Sequence, residues 1–329
     1  MFINGFQDTA PDVAMEALRA TVVFVDMIID KNEVQQLQIV INPLIALITS
    51  ALQNGNEDLV RSAFEVLDAF MQSDKPIIND SIETIVTMCV NVLDARDVDP
   101  SIHTGAFQTL ITAFECRPKL IAKKNMVAPI ITAMVNIIAR SDESINSLYQ
   151  NRIDNNADDD NDDDDDDESP AQLAKYCLDT MALSISAKHF AQPALSIIAE
   201  CFQSSEVRLR GAGATVLGTI AEGCTDALKP ILSEVVPQLM KLTIDENISI
   251  REASIYAAGQ LAEHCQPDIL WHHEQILPTM LYAMDESGSE TLQGYFTLTS
   301  FFIFNEFTLF IYYYYYYYYY IYRDCLLCH

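Results

Sequence analysis

Glycine is scarce in this chain, with 10 residues among 329, and cations are few, with 19 Lys and Arg against 47 Asp and Glu. Scarce glycine leaves few of the tight turns that a many-stranded β fold requires. The formal net charge of −28 opposes binding to DNA or to anionic lipid surfaces, because both would repel such a field. We therefore expect no nucleic-acid or membrane partner, and basic proteins are the natural counterpart.

The chain also lacks a secretion signal and a disulfide framework. Its first residues, MFINGFQDTAPD, place an acid and a proline where the apolar core of a secretory signal would lie. Six of the eight cysteines are scattered singly, mostly within apolar helical patterns: Cys89, Cys116, Cys177, Cys201, Cys224 and Cys265. The pattern predicts reduced thiols in a cytosolic or nuclear compartment.

Residues 207–224, VRLRGAGATVLGTIAEGC, raise the question of a phosphate-binding loop. They align without a gap on positions 248–265, ISIREASIYAAGQLAEHC. Identical residues recur at six pairs of positions, among them Arg210 and Arg251, Gly218 and Gly259, and Cys224 and Cys265. The second copy replaces Gly211 and Gly213 with Glu252 and Ser254, which a phosphate loop could not accept. The stretch is therefore predicted to be a helix that packs closely.

A pattern of apolar or small residues at offsets 0, 1, 4, 5 and 8 recurs six times, with Thr21, Asp68 and Ser254 as imperfect members. The copies start at Ala17, Ala63, Ala106, Cys177, Ala212 and Ala253. A second apolar helix follows each copy, and in five of them a proline is predicted near the helix start: Pro43, Pro129, Pro193, Pro237 and Pro278. Units of about 40 residues are typical of HEAT repeats. The predicted fold is all-α, an α-solenoid of about six helix pairs.

The interval between the third and fourth copies, from Ala106 to Cys177, exceeds a normal repeat by about 30 residues. The predicted organisation is an amino-terminal extension (1–10), HEAT repeats (11–140), an acidic inter-repeat loop (141–170), further HEAT repeats (171–290) and a Phe/Tyr-rich tail without repeats (291–329). The loop is too charged to form a core and is predicted to be disordered.

Ten acidic residues of this loop form an almost unbroken run, and the rest of the chain keeps a net charge of −18. They are Asp158, Asp159, Asp160, Asp162, Asp163, Asp164, Asp165, Asp166, Asp167 and Glu168. Two interpretations stay open: a solvated linker, or an element that engages a basic ligand. Calcium binding is disfavoured because the run lacks the Gly and the bidentate Glu of an EF-hand.

The tail contains nine consecutive tyrosines, at 312–320. A membrane anchor is one interpretation, but tyrosine prefers the membrane interface, and Asn305 and Glu306 interrupt the apolar stretch. Translation of an AT-rich non-coding stretch after Gln293 is the favoured interpretation. The terminal CLLCH matches a haem-attachment pattern, which we interpret as coincidence, since no export signal accompanies it.

No catalytic constellation or cofactor site is found in the sequence, so the chain is predicted not to be an enzyme. His272 and His273, with His264 and Cys265, suggest a metal site, but no further ligand follows at helical spacing. These histidines are expected in a turn between two helices. Trp271 is expected to pack within that turn.

Residues 11–290, and above all 169–287, resemble the importin-β (karyopherin-β) superfamily, nearest the importin-four type. The resemblance rests on an acidic loop that runs into AKYCLDTMALSISAKH, then RLRGAGATVLGTIAEGC, then REASIYAAGQLAEHCQPDI. It implies a truncated nuclear import receptor that carries basic cargo, such as ribosomal proteins or histones, on the second helices of its repeats. The implied partners are also the Ran GTPase and Phe-Gly nucleoporins, and the implied location is the cytoplasm and nucleus, including the nuclear pore.

The resemblance also implies a ladder of cations, because the family often stacks an Arg against acids of the neighbouring repeat. Arg61, Lys175, Arg210 and Arg251 each lie two residues before a repeat start; the other interpretation is that they are ordinary surface cations. The alternative function is a HEAT-repeat scaffold, similar to a phosphatase regulatory subunit, without transport activity. The acidic loop favours the import receptor.

Overall fold

The computed structural model describes residues 2–8, 10–27, 31–95, 98–141 and 169–287, together with the single residues 297, 299 and 300. Within these residues there are helices and turns but no strand, and the all-α prediction is confirmed. The acidic run at 158–168 and the tyrosine run at 312–320 lie outside the described residues. The described residues fall into two compact units, which divide between Ile197 and Ile198.

The helices come in six pairs, as the repeated pattern predicts, and short helical segments precede or join some of them. They are α1 (Phe2–Phe6), α2 (Pro11–Met27), α3 (Lys31–Gln53), α4 (Glu57–Gln72), α5 (Ile82–Asp94), α6 (Pro100–Cys116), α7 (Pro118–Lys123), α8 (Val127–Arg140), α9 (Pro170–Ser184), α10 (Ala187–Phe202), α11 (Val207–Thr219), α12 (Thr225–Leu228), α13 (Leu232–Leu242), α14 (Ile248–His264) and α15 (His273–Ser287). Short 3₁₀ turns at Lys229–Ile231 and Asp268–His272 precede α13 and α15. The pairs are α2 with α3, α4 with α5, α6 with α8, α9 with α10, α11 with α13, and α14 with α15.

In the first unit the first helices of successive pairs pack on one another in chain order. Helix α4 lies between α2 and α6, and α6 lies between α4 and α9. Because α6 has neighbours on both sides, most of its surface is buried, including Phe107, Leu110 and Phe114. Burial of such side chains contributes roughly 1.5–3 kcal/mol each. The core of this unit is therefore the seam between consecutive first helices.

The predicted insertion joins two helices that touch each other. Helix α8 ends at Arg140, α9 begins at Pro170, and both α8 and α6 pack against α9. Ser169 starts α9 as a capping box, in which its hydroxyl accepts from the Gln172 backbone N–H and the Gln172 side chain accepts from the Ser169 backbone N–H, both at 3.2 Å. The two helices that flank the predicted insertion are therefore direct neighbours.

Helix α3 is long and apolar enough to cross a membrane by length and composition alone. Its residues Leu37, Ile41, Leu44 and Ile48 follow helical spacing and are buried in the protein, with at most 1% of each exposed. A single apolar face of this kind is typical of a core helix. The burial of α3 favours that interpretation over a membrane span.

In the second unit, glycines bring helices into close contact. A Cβ on Gly218 of α11 would lie 2.5 Å from Cε1 of Tyr256 and 3.1 Å from Cα of Ala257, both on α14. A Cβ on Gly213 would lie 2.6 Å from Cβ of Cys201. The stretch 207–224 is thus helical from Val207 to Thr219, and the prediction of a packed helix over a phosphate loop is confirmed.

The predicted position of the prolines is wrong for four of the five second helices. Pro129 lies in the first turn of α8, but the other four lie inside their helices: Pro43, Pro193, Pro237 and Pro278. Each of these helices begins earlier because apolar residues before the proline are buried, as Leu37 is before Pro43. The prolines themselves are half-buried or exposed, so water can reach the carbonyl that each proline leaves unpaired.

We expect Gly218→Ala to lower the free energy of unfolding by about 1–3 kcal/mol, because the new methyl meets the Tyr256 ring and the α14 backbone. Gly211→Ala is the matched control, since a Cβ there would make only an ordinary contact, 3.7 Å from Cγ1 of Ile250. It should be neutral or stabilising by up to about 1 kcal/mol. Urea unfolding checks both, and equal effects at the two glycines would contradict the close-packing account.

Candidate functional site

A groove of about 750 Å³ runs between the second helices of the first two pairs, α3 and α5. Its lining residues come from these helices and from the turns beside α5: Ile45, Thr49, Leu52, Gln53, Asp80, Glu83, Thr84, Thr87, Met88, Asn91, Val92, Ala95 and Val98. A volume of this size falls within the usual range for ligand-binding clefts. We treat the groove as the candidate functional site.

The chemistry of the groove changes along α5. The carboxyl groups of Asp80 and Glu83 lie at the amino-terminal end of α5, and Met88 and Val92 follow along the helix. Gln53 and Asn91 add side-chain amides, which can both donate and accept hydrogen bonds. From residue 83 to residue 91 a helix rises about 12 Å, which matches about four residues of extended peptide. The groove can therefore bind an extended segment that carries a cation and an apolar side chain.

The described root of the acidic loop lies beside the same second helix. Arg140, the last residue of α8, pairs with Asp94, the last residue of α5, with 2.5 Å between Nη2 and Oδ1. Ala95, the next residue, lines the groove. The acidic run itself lies outside the described residues, but Arg140, at the end of α8, lies near one end of the groove.

Two of the four predicted ladder cations bind the turns between pairs in the second unit. Nε and Nη2 of Arg210 donate to Oδ2 of Asp245 at 3.2 and 3.1 Å, and its Nη1 donates to the Ser204 carbonyl at 3.2 Å. Arg251, one repeat later, donates to the Asp245 carbonyl at 2.9 Å. Each arginine thus donates hydrogen bonds to the turn before its own helix. Arg210 also donates to the turn before the next first helix.

The other two predicted ladder cations lie in the first unit. Arg61 donates to Asp58 of its own helix at 2.6 Å. The Ser101 hydroxyl and backbone N–H are the main groups that lower the pKa of Asp99, at the start of α6, and the charge of Arg61 adds to this effect. The charge of Arg61 is therefore felt at the start of the next repeat, while its bond is to Asp58 in its own helix. Lys175 is half-buried on α9.

A second row of cations escaped the sequence analysis. Nζ of Lys75 donates to the carbonyl of Val25, near the end of α2, at 3.3 Å. Nη2 of Arg117 donates to the carbonyl of Ser73, at the end of α4. Each cation caps the first helix of the preceding pair, where carbonyls lack partners and the helix dipole is negative. The two lie one repeat apart in the chain, so the repeat interval was the signal that could have revealed them.

We expect Arg210→Met to lower the free energy of unfolding by about 1–3 kcal/mol, because it removes charge-assisted bonds to Asp245 and to a turn carbonyl. The side chains of Arg210 and Asp245 are only 19% and 15% exposed. Arg61→Met is the control, since its pair with Asp58 is exposed at 47% and 79% and should contribute under about 0.5 kcal/mol. A loss at Arg61 as large as that at Arg210, measured by urea unfolding, would refute this ranking.

One carboxyl group is largely buried in the seam between α4 and α6. The hydroxyl of Thr109 donates to Oδ1 of Asp68 at 2.7 Å. Burial raises the pKa of Asp68 to about 6, the bond from Thr109 opposes this rise, and the charge of Glu65 adds to it. Because the folded pKa exceeds the unfolded one, folding favours the protonated carboxyl group. Its contribution is therefore fully present below the unfolded pKa and is lost as pH rises through about 6.

We expect Asp68→Asn to stabilise the protein at neutral pH by up to about 3 kcal/mol, because the amide oxygen still accepts from Thr109 and no charge is buried. The gain should shrink at about pH 5, where Asp68 is mostly protonated in the folded chain. Urea unfolding at both pH values measures this, with Asp58→Asn as an exposed control. A gain that is independent of pH would contradict the assignment.

The metal site considered for the last repeat finds no support: no cluster of three His, Cys, Asp or Glu residues that could hold a metal occurs in the described part of the chain. Nδ1 of His273 lies 2.8 Å from the carbonyl of Leu270. Trp271 is 86% exposed, so the expectation that it packs within the turn is wrong. The turn is a 3₁₀ segment in which Ile269 is the buried residue, and this leaves the indole outside.

The cysteines named from the sequence are free thiols, and five of the six are buried. Burial raises the pKa of Cys224 to about 12 and that of Cys265 to about 11. Thiols with such values are poor nucleophiles at neutral pH. The buried cysteines are therefore packing residues.

The comparisons with known proteins point to one superfamily. A model of the HEAT-like repeat matches residues 207–257. Importin subunit beta-3 of Saccharomyces cerevisiae is 24% identical over 296 residues, which is 89% of this chain and 26% of that protein. Importin-4 of Mus musculus is 24% identical over 220 residues, which is 67% of this chain and 20% of that protein. The structure of Kap121p bound to RanGTP has a TM-score of 0.79 at 21% identity and covers 92% of this chain and 29% of that one.

The structural likeness shows that the fold is that of a HEAT-repeat karyopherin. The sequence relatives agree with the resemblance, since the chain is similar to importins along most of its length. It spans only 20–26% of the length of these two relatives. The prediction of a non-enzyme agrees with this similarity to importins.

Proposed function

We propose that this chain is part of a nuclear import receptor and that it binds basic cargo proteins. The observation that carries the proposal is the groove between α3 and α5, in which Asp80 and Glu83 adjoin an apolar lining. Its charge complements a Lys or Arg side chain, whose aliphatic stem can lie on Met88 or Leu52. The net charge of −28 adds a long-range attraction for basic partners.

The acidic run is proposed to act with the groove. Its negative charges repel one another and favour an extended chain. An extended segment of about 27 residues can reach roughly 90 Å, and its root at Arg140 lies beside the end of α5. A basic ligand would relieve this repulsion, so the run would collect cargo that the groove then holds. The linker interpretation predicts no such effect.

Further partners are proposed from the family. Solved structures of Kap121p include complexes with RanGTP, Ste12p and Pho4p. We propose by kinship that this chain, within a whole receptor, contributes to binding of Ran, of Phe-Gly nucleoporins and of cargo such as ribosomal proteins or histones. The corresponding locations are the cytoplasm, the nucleus and the nuclear pore. The importin relatives favour this function over the scaffold alternative.

We expect Asp80→Asn with Glu83→Gln to weaken binding of a basic peptide about fivefold or more, the equivalent of about 1 kcal/mol. The control is Glu57→Gln with Glu65→Gln, which removes the same charge from exposed positions on α4. Replacing 162–167 with a Ser/Gly run should weaken binding and flatten its salt dependence. Calorimetric titration of the full chain at two salt concentrations measures all three.

The outcomes separate the two elements. Equal losses in the groove and control variants would mean that only the overall field attracts the peptide, and the groove would be excluded as a site. Unchanged affinity and salt slope in the Ser/Gly variant would reduce the run to a linker. Failure of the unaltered chain to bind any basic peptide would overturn the proposed function.

A further inference from the structure

One face of α14 is covered by chain that the sequence analysis placed outside the repeats. Thr297, Thr299 and Ser300 are helical, and Thr299 is fully buried. Oγ1 of Thr299 lies 3.1 Å from the point that a Cβ on Gly259 would occupy. Gly259 lies on α14, so the covering residues come from beyond α15.

The same contact occurs one repeat earlier. Gly218 on α11 is the equivalent of Gly259 in the preceding repeat. A Cβ on Gly218 would meet Tyr256 and Ala257 of α14, the first helix of the next pair. Gly218 and Gly259 are 41 positions apart in the chain. The positions that lie 41 residues after Tyr256 and Ala257 are 297 and 298. Thr299 directly follows them, so Gly259 is covered at nearly the same point of the repeat as Gly218.

The sequence beyond α15 also fits the repeated pattern. The same interval, counted onward from Ala253 at the start of the sixth copy, leads to position 294. The offsets 0, 1, 4, 5 and 8 from that position are Gly294, Tyr295, Leu298, Thr299 and Phe302. The first is small, three are apolar, and Thr299 takes the offset at which the second copy has Asp68. Four of the five offsets therefore agree with the pattern.

We propose that Thr297, Thr299 and Ser300 belong to the first helix of a seventh repeat, and that the face of α14 around Gly259 is the surface on which this helix docks. The occupant is this chain's own segment. The packing of Thr299 against Gly259 and the sequence pattern are two separate observations that support the proposal. The tyrosine run at 312–320 forms no part of it.

A cross-link tests the contact in the full chain. The pair Gly259→Cys and Thr299→Cys places the two sulfurs within bonding reach, because a side-chain atom of residue 299 already lies 3.1 Å from the Cβ position of residue 259. Mild oxidation should link the two peptides in native buffer but not in concentrated guanidinium chloride, as detected by peptide mass. The control pair is Gly211→Cys with Thr299→Cys, since Gly211 faces Ile250 instead. Linking no more efficient than in the control would overturn the proposal.

Hydrogen exchange of the unaltered chain gives a second readout that does not depend on the cysteine variants folding. If the proposal holds, amides of 297–300 exchange at least about 100-fold more slowly than in an unfolded chain, because they are held in a packed helix. Gly259→Leu should abolish that protection and leave the protection of α4 and α6 unchanged. Exchange of 297–300 at the unfolded rate in the unaltered chain would overturn the proposal.

Discussion

Each helix pair in this protein has an apolar face that only the next pair can cover. Helix α6 shows the consequence: with α4 on one side and α9 on the other, it buries Phe107, Leu110 and Phe114. A pair at the end of such a stack has no partner for one of its faces. The close approach of neighbouring helices therefore constrains the rest, including the small residues at Gly213 and Gly218 and the positions of the cations.

The cations donate hydrogen bonds to backbone carbonyls that would otherwise lack partners at the helix ends. Carbonyls at the end of a first helix and in the turns between pairs lack partners and lie close to the neighbouring repeat. Lys75 and Arg117 donate to the carbonyls at the ends of first helices. Arg210 and Arg251 donate to the carbonyls in the turns. Among the predicted ladder cations, the bond from Arg210 to Asp245 joins two side-chain charges across repeats. The arginines therefore act more as donors to backbone than as members of an ion-pair ladder.

The helical repeats could be predicted from sequence because apolar spacing reports directly on buried faces, as at Ala212 and Ala253. The groove could not be predicted, since Asp80 and Glu83 meet residues of α3 only after two second helices pack together. The predicted position was wrong for four prolines because their helices begin earlier, where apolar residues before the proline are buried. The expectation that Trp271 is packed was wrong because the turn buries Ile269 in its place, although aromatic residues are usually buried.

The junction between α8 and α9 has a consequence for how such a chain can change over evolution. These helices contact each other directly, and the capping box that starts α9 is formed by Ser169 and Gln172 alone. The start of α9 is thus fixed by its own residues and by its contact with α8. Changes in length or composition between residues 141 and 169 therefore need not alter the packing of α8 on α9, whereas changes within these helices would.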